Sequence, residues 1–105
     1  MKEIQIDTSK IHDWPSFHKI FKDVFGFPDY YGANMDAWID CMSYLNAPLS
    51  GMSKITLEPG ESLTIKLFRT ADFMKRCPEQ FMSLVECSAF VNQRFPKPLL
   101  YILFV

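Results

Sequence analysis

Residues 27–45 read FPDYYGANMDAWIDCMSYL, and this stretch predicts a tight turn followed by a helix. Pro28 fixes its own φ and keeps the residue before it out of the α region, so no helix continues across it. Asp29 and Gly32 favour a turn, and Gly32 can adopt a positive φ at no steric cost. Asn34 is a suitable N-cap, because its side-chain oxygen can accept a hydrogen bond from an early helical N–H. The helix is therefore expected to begin directly after Asn34.

The predicted helix has two unlike faces. Apolar residues recur at helical spacing on one face, at Met35, Trp38, Ile39, Met42 and Leu45. The opposite face carries Asp36, Asp40 and Tyr44, each one turn from the next. Two like charges at i, i+4 destabilise a helix by roughly 0.2–0.5 kcal/mol, and only Asp36, in the first turn, is favoured by the helix dipole. Because neither aspartate has a Lys or Arg within four residues, the pair is either a solvated face or a surface that a partner covers.

Composition limits the class of protein. The chain has 105 residues, of which 49% are hydrophobic and 22% charged, and this predicts one globular domain over residues 1–105. The net charge of −1 carries no electrostatic signature of nucleic-acid binding. The apolar share leaves room for a homodimer. No apolar run approaches about 18 residues, so the sequence predicts no membrane contact.

The cysteines indicate a compartment. Cys41, Cys77 and Cys87 are an odd number without a CxxC spacing, which favours free thiols over a disulfide framework. His12 and His18 lie far from them in the sequence and form no ligand pair, so a zinc site is not expected. The N-terminal MKEIQIDTSK lacks the apolar segment of a signal peptide. We therefore expect a cytoplasmic protein with reduced cysteines.

The first part of the chain predicts a strand and a helix. Lys2–Asp7 alternates apolar and polar residues like a strand with one buried face. Asp13 can cap a helix that Gly26 ends. The apolar stripe of this helix consists of Trp14, Phe17, Ile20, Phe21 and Val24. Such an aromatic stripe can form a ligand-binding box, but its spacing favours core packing, and His18 beside it is expected to be solvated.

The middle of the chain suggests a β-hairpin. Lys54–Leu57 and Ser62–Phe68 both alternate, and Pro59-Gly60 between them fits a turn with Pro at i+1 and Gly at i+2. Thr70–Arg76 then predicts a short helix with Phe73 and Met74 turned inward.

The C-terminal part predicts a longer helix and a strand. Pro78 opens the helix, whose inner face is formed by Phe81, Leu84, Val85, Ser88 and Val91, and Pro96 and Pro98 close it. Leu99–Val105, LLYILFV, lacks alternation, which is typical of a strand covered on both faces. The order of elements predicts parallel crossovers, and hence an α/β fold with a small three-stranded parallel sheet and about four helices packed on it. The hairpin would add a short strand near residues 54–65.

The sequence carries no recognisable catalytic motif, with no GxGxxG, Walker loop, HExxH or GxSxG. Asp36 and Asp40 share one exposed face, whereas a general acid and base need environments that separate their pKa values. Two monodentate carboxylates also make a poor metal site. Cys41 has no histidine beside it to act as a base. We therefore expect no enzyme, no cofactor and no metal.

The block Pro28-Asp29-Tyr30-Tyr31-Gly32-x-Asn34-x-Asp36-Ala37-x-x-Asp40, followed by Cys41, resembles the motif of the barstar family, intracellular inhibitors of a secreted bacterial ribonuclease. The element order is similar over nearly the whole chain. The main departure in architecture is Ser50–Glu61, which looks like an insertion before the second strand.

The resemblance implies a role for each matching residue. It implies that Asp40 occupies the phosphate position of a ribonuclease cleft and that Asp36 supports it near the catalytic residues. It implies that Tyr30 packs on the catalytic histidine of the enzyme. The partner-binding residues expected from the motif and the exposed helix face are Tyr30, Gly32, Asn34, Asp36, Asp40 and Tyr44.

Three hypotheses follow from the sequence. The first is a protein inhibitor of a ribonuclease or a related cationic toxin that mimics RNA phosphate with Asp36 and Asp40. The second is a non-inhibitory interaction module on the same fold, because Ile39 stands where the family motif has an aromatic residue and Ala33 where an acidic one is common. The third hypothesis is an enzyme that uses both aspartates, which predicts a divalent metal between them.

The family also has an outlying acidic contact with its partner, and Glu86 is the nearest candidate for it.

Overall fold

The computed structural model describes residues 2–105 and shows an α/β fold with one three-stranded sheet. The strands are β1 (Lys2–Asp7), β2 (Leu63–Phe68) and β3 (Leu100–Phe104). The helices are α1 (Trp14–Phe25), α2 (Met35–Ser43), α3 (Thr70–Arg76) and α4 (Pro78–Asn92). Single 3-10 turns cover Thr8–Lys10 and Pro48–Ser50.

The sheet is parallel and its strand order is β1-β2-β3. Ile4, Ile65 and Ile102 stand in one register across the three strands, so alternate positions of each strand share a face. Parallel neighbours require helical crossovers, and the two helix pairs of the chain supply them. The predicted class, a small parallel sheet with four helices, is confirmed.

The predicted β-hairpin is wrong. Lys54–Leu57 is irregular, and its backbone amides bond outside the sheet: Lys54 N donates to Phe25 O (2.9 Å) and Leu57 N donates to Leu45 O (2.8 Å). The reason lies in the position of β2, which is the central strand with both edges already paired to parallel neighbours. The turn itself is as predicted, with Gly60 at φ 81° and Glu61 N donating to Glu58 O (2.9 Å).

Local chemistry sets both ends of α1. Asp13 forms a capping box with Ser16, and Gly26 ends the helix at φ 69°. A Cβ on Gly26 would also lie 2.7 Å from side-chain carbons of Lys54. Both the positive φ and this close contact therefore favour glycine at this position. The buried stripe contains Phe17, Phe21 and Phe25 rather than Val24, which is exposed. The aromatic stripe is therefore core, as its spacing predicts, but it is rotated toward Phe25.

The core lies against one face of the sheet. It contains Ile6, Leu63, Ile65, Leu67 and Leu100 from that face. The opposite face contributes no residue to the core and carries Glu3, Gln5, Lys66, Tyr101 and Leu103.

The expectation that β3 is covered on both faces is therefore wrong. β3 is an edge strand, and Tyr101, Leu103, Phe104 and Val105 are 44–52% exposed. An apolar run without alternation shows that both faces are apolar, but it does not show that a second layer covers them.

The C-terminal helices follow the prediction with one correction. Phe73 of α3 is buried, but Met74 is exposed because it lies on the outer side of this seven-residue helix. Leu84, Ser88 and Val91 of α4 are buried. No helix within residues 2–105 is long and apolar enough to cross a membrane. The assignment of residues 1–105 to one domain stays a prediction.

Candidate functional site

The loop before α2 is held by short hydrogen bonds of its own. Tyr31 N donates to Pro28 O (2.9 Å), which closes a turn after the proline. Asn34 Oδ1 accepts from Ala37 N (2.8 Å), so Asn34 is the predicted N-cap of α2. An N-cap satisfies one of the free amides at a helix start and fixes the angle at which the loop enters the helix.

The residue with positive φ in this loop is Ala33 (φ 52°), not Gly32. A Cβ on Gly32 would lie 3.2 Å from Asn34 Nδ2 and would press on the cap side chain. The absence of a side chain at Gly32 therefore protects the cap, and Ala33 carries the backbone strain that the sequence suggested for the glycine.

The outer side of α2 presents both aspartates to solvent. Asp36 and Asp40 are exposed, and none of the ion pairs that the structure shows within residues 2–105 includes either of them. Tyr44 forms the C-cap of α2 and is also exposed. The helix therefore carries two uncompensated negative charges on a solvent-facing surface.

The inner side of α2 anchors the helix in the core. Trp38, Cys41 and Met42 are buried, and the Trp38 ring lies edge-on to Phe21 with centroids 5.7 Å apart. Burial, with a smaller contribution from Asp40, raises the pKa of the Cys41 thiol to about 11. Cys41 is therefore a protonated thiol near neutral pH, which is unsuited to nucleophilic chemistry.

A buried histidine fastens the loop to α1. His18 is almost fully buried, so the expectation that it is solvated is wrong. Its Nδ1 lies 2.6 Å from the Tyr31 hydroxyl, and its ring stacks on Trp14 with centroids 5.7 Å apart. Burial lowers the pKa of His18 and raises the pKa of the Tyr31 phenol, so both groups are neutral near pH 7. The i, i+4 spacing of Trp14 and His18 was a signal in the sequence for this placement.

Tyr30, next to the buried Tyr31, points outward and is 74% exposed. Its hydroxyl donates to the Met52 sulfur (3.6 Å), and Met52 itself packs against the core. Met52 belongs to Ser50–Glu61, so this segment, which the sequence analysis expects to be an insertion, contacts the exposed tyrosine. No pattern in the sequence connects Tyr30 with Met52.

α4 adds a further carboxylate beside α2. Glu86 is exposed on α4, and the half-buried Cys87 lies next to it. The pKa of the Cys87 thiol is raised by burial and by the charges of Glu86 and Asp36. Both carboxylates therefore lie near enough to Cys87 to act on its thiol, one from α2 and one from α4.

A small cleft opens at the start of α2. It has a volume of about 200 Å³ and is lined by Trp14, His18, Ala33, Asn34 and Met35. No charged residue lines it, so it offers an uncharged recess beside the acidic helix face. Within residues 2–105, no group of three or more His, Cys, Asp or Glu side chains is arranged to hold a metal ion.

The sheet, the helices and the exposed carboxylates define a small α/β protein with an acidic surface helix. A family model described as "Barstar (barnase inhibitor)" matches residues 1–99, and the chain belongs to this family. The chain is also similar to "Putative ribonuclease inhibitor YrdF" of Bacillus subtilis (strain 168), with 39% identity over 51 residues. That match covers 48% of this chain and 56% of YrdF, so it spans about half of each protein.

Proposed function

We propose that this protein inhibits a ribonuclease, or a related cationic toxin, by placing the carboxylates of Asp40 and Asp36 in the phosphate-binding cleft of the enzyme. The observation that carries the proposal is the pair of exposed aspartates, which form no ion pair within residues 2–105, on a helix anchored in the core. Membership in the Barstar family and the similarity to YrdF support the same assignment.

The chemistry follows from the charge that the cleft must bind. A ribonuclease binds an anionic backbone, so its active site carries cations and hydrogen-bond donors for phosphate. Carboxylates can take the phosphate position, and hydrogen bonds between Arg or Lys and a carboxylate are about twice as strong as neutral ones. Complementary charge also speeds encounter between the two proteins. The repulsion between Asp36 and Asp40 in the free protein would then be relieved by cations of the enzyme.

The loop and the cap support a rigid binding surface. Asn34 caps α2, and Tyr31 is fixed by His18 beneath the loop. A surface that is already ordered loses little conformational entropy on binding. In this proposal Tyr30 packs on the enzyme, while Gly32, Asn34 and Tyr44 line the contact.

The test compares two aspartates that carry the same charge. The wild-type chain is expected to suppress RNA cleavage by the secreted ribonucleases of the producing cell, and Asp40→Ala is expected to weaken the complex by about 2–5 kcal/mol, or roughly 30- to 4,000-fold. Asp23→Ala is the matched control, because Asp23 is an exposed helical aspartate on α1 that pairs with Lys19. The proposal fails if Asp40→Ala binds as tightly as the wild type.

A second candidate is an interaction module that binds its partner without inhibiting it. Two observations favour it: Met52 of Ser50–Glu61 contacts Tyr30, and Ile39 is packed against the core, where the family motif has an aromatic residue. This candidate predicts a protein partner that binds the wild-type chain while RNA cleavage continues unchanged. An inhibition assay on the captured complex separates the two functions.

In either case we propose no catalytic role for the chain. The cytoplasmic location stays a prediction from its cysteines, of which Cys41, Cys77 and Cys87 are free thiols in the structure. A reducing compartment keeps such thiols unpaired.

A further inference from the structure

The outer edge of β3 is a second exposed surface, and no strand within residues 2–105 pairs with it. Backbone groups of this strand alternate between β2 and the outside. Leu63 N donates to Leu99 O (2.8 Å) and Val105 N donates to Leu67 O (2.9 Å), so the odd-numbered residues face β2. By alternation, the N–H and C=O groups of Leu100, Ile102 and Phe104 point outward.

The first of these outward positions is already satisfied. Asn92 of α4 accepts from Leu100 N (2.8 Å) and donates to Leu100 O (2.9 Å), much as a neighbouring strand would. No strand within residues 2–105 pairs beyond β3, because it ends the sheet. The open part of the edge therefore consists of two donors and two acceptors, on Ile102 and Phe104.

We propose that a second copy of this chain covers this edge, by antiparallel pairing of the two β3 strands about a twofold axis at Leu103. In this register Ile102 lies opposite Phe104 of the other copy, and each such pair exchanges two hydrogen bonds. All the open groups of both copies are then satisfied, and the two sheets join into one. A contact of this kind is self-complementary, as twofold symmetry requires.

The charges of the strand favour a second copy over a charged peptide. β3 reads LYILF and carries no charged residue, so pairing it with itself brings no like charges together. The groove of about 320 Å³ between β3 and α4 is also uncharged, and Val85, Ser88, Ala89 and Asn92 form its α4 side. Phe104 of the second copy would lie opposite Ile102 over this groove.

The other edge of the sheet, formed by β1, is protected from strand addition by charged side chains. β1 reads KEIQID, and charged residues at Lys2, Glu3 and Asp7 disfavour strand addition there. Four residues at β3 that are 44–52% exposed would gain cover in the proposed contact: Tyr101, Leu103, Phe104 and Val105. None of the residues proposed to bind a ribonuclease lines the groove, so this inference is independent of the inhibitor function.

The experiment measures the mass of the full chain in solution against its concentration. The wild type is expected to change from monomer to dimer as concentration rises, and Leu103→Lys is expected to remove the dimer, because two lysines would meet on the axis. Gln5→Lys is the matched control: it adds the same charge to an exposed position on the same sheet face at the β1 edge. A wild type that stays monomeric up to about 1 mM overturns the proposal, since such an association would be weaker than about 4 kcal/mol. A dimer that survives Leu103→Lys overturns it as well.

A pair of cysteine variants tests the register directly. Residues on the axis form a non-hydrogen-bonded pair with Cα atoms about 4.5 Å apart, which is within disulfide range. Leu103→Cys is therefore expected to give a covalent dimer on mild oxidation, above the level of the wild type with its own three thiols. Tyr101→Cys is expected not to, because its own copy lies about 14 Å away along the strands. Equal cross-linking of both variants contradicts the register, and this readout decides the question if Leu103→Lys fails to fold.

Discussion

Trp38 and Asp40 lie two residues apart on α2, and their side chains have opposite surroundings. Trp38 is 0% exposed and packs against Phe21, whereas Asp40 is exposed and has no ion pair within residues 2–105. The loop repeats the contrast, because Tyr31 is fixed to His18 while its neighbour Tyr30 points into solvent. The segment from residue 28 to residue 44 therefore has an inner side that packs into the core and an outer side that is exposed to solvent.

The separation of the two sides costs some stability, but it lets stability and affinity change independently. The outer side contributes charges that repel each other, and the inner side supplies the burial that offsets them. A protein whose binding residues were also its core residues could not change one property without the other. If the two sides are separate, substitutions on the inner side should change stability and those on the outer side affinity.

The largest effect is expected from Trp38→Ala. Removing a fully buried indole leaves a cavity and should lower the free energy of unfolding by about 3–5 kcal/mol, a large share of the stability of a small domain. Urea denaturation measures it. Affinity of the molecules that remain folded should change far less than with Asp40→Ala.

The control at the same position is Trp38→Phe. Trp38 Nε1 is buried and has no hydrogen-bond partner within residues 2–105, so phenylalanine removes an unsatisfied donor while keeping a six-membered aromatic ring. It should cost clearly less stability than alanine. If Trp38→Ala leaves stability unchanged, the inner side does not hold the fold and the comparison is wrong.

A smaller effect is expected from Tyr31→Phe. The substitution removes the hydroxyl that lies 2.6 Å from His18 Nδ1 and leaves a buried polar nitrogen without its partner. The expected loss is about 1–3 kcal/mol in the free energy of unfolding. Tyr30→Phe, the matched change on the outer side, removes only a long contact to the Met52 sulfur and should leave stability nearly unaltered. Equal losses from both variants would contradict the assignment of the two tyrosines to different sides.

His18 also predicts a pH dependence. Burial lowers its pKa in the folded protein below 6.5, so the unfolded chain binds a proton there at a higher pH than the folded chain does. The contribution of neutral His18 to the free energy of unfolding is therefore fully present above pH 6.5. It falls as the pH drops from 6.5 toward the lowered pKa, and levels off below that value. Unfolding measured between about pH 8 and pH 5 should show this decline, and His18→Gln should remove it while the exposed His12→Gln retains it.

Asn34 lies at the border of the two sides and sharpens the comparison. Asn34→Ala should lower the free energy of unfolding by about 1 kcal/mol, because Ala37 N loses its cap acceptor. Asn34→Ser keeps a capping oxygen and should keep the stability, but it changes the surface offered to a partner. If both variants lose affinity for the partner but only Asn34→Ala loses stability, then capping the helix and contacting the partner are separate roles of Asn34.

The sequence predicts the parts of the fold that local chemistry decides. The caps Asp13 and Asn34 and the Pro59-Gly60 turn each depend on residues within four positions, and the structure has them as expected. Met74 and β3 are more exposed than predicted. A periodic pattern identifies an apolar face, but it does not show whether the rest of the chain covers that face. The predicted hairpin is wrong for a similar reason. Lys54–Leu57 alternates, but it cannot pair with β2, because both edges of β2 are already hydrogen-bonded to β1 and β3.

The candidate site divides in the same way. Asp36 and Asp40 are apparent from an unfavourable i, i+4 charge pair without a nearby cation, which is local information. The contact between His18 and Tyr31 joins residues 13 apart, and Met52 reaches Tyr30 over 22 residues. Nothing in their spacing encodes these contacts, so the support of the outer side could be found only in three dimensions.

The smallest expected effect tests the cost of the outer side itself. Asp40→Asn should raise the free energy of unfolding by about 0.2–0.5 kcal/mol, because it removes the repulsion between the two aspartates. Asp36→Asn removes the same repulsion, but it also removes a negative charge from the first turn of α2, where the helix dipole favours one. It should therefore gain nothing or lose stability. Thermal unfolding of both variants at low salt measures the difference, which high salt should reduce. If Asp40→Asn destabilises the free protein instead, Asp40 has a stabilising partner within the chain, and this would argue against its proposed role in binding.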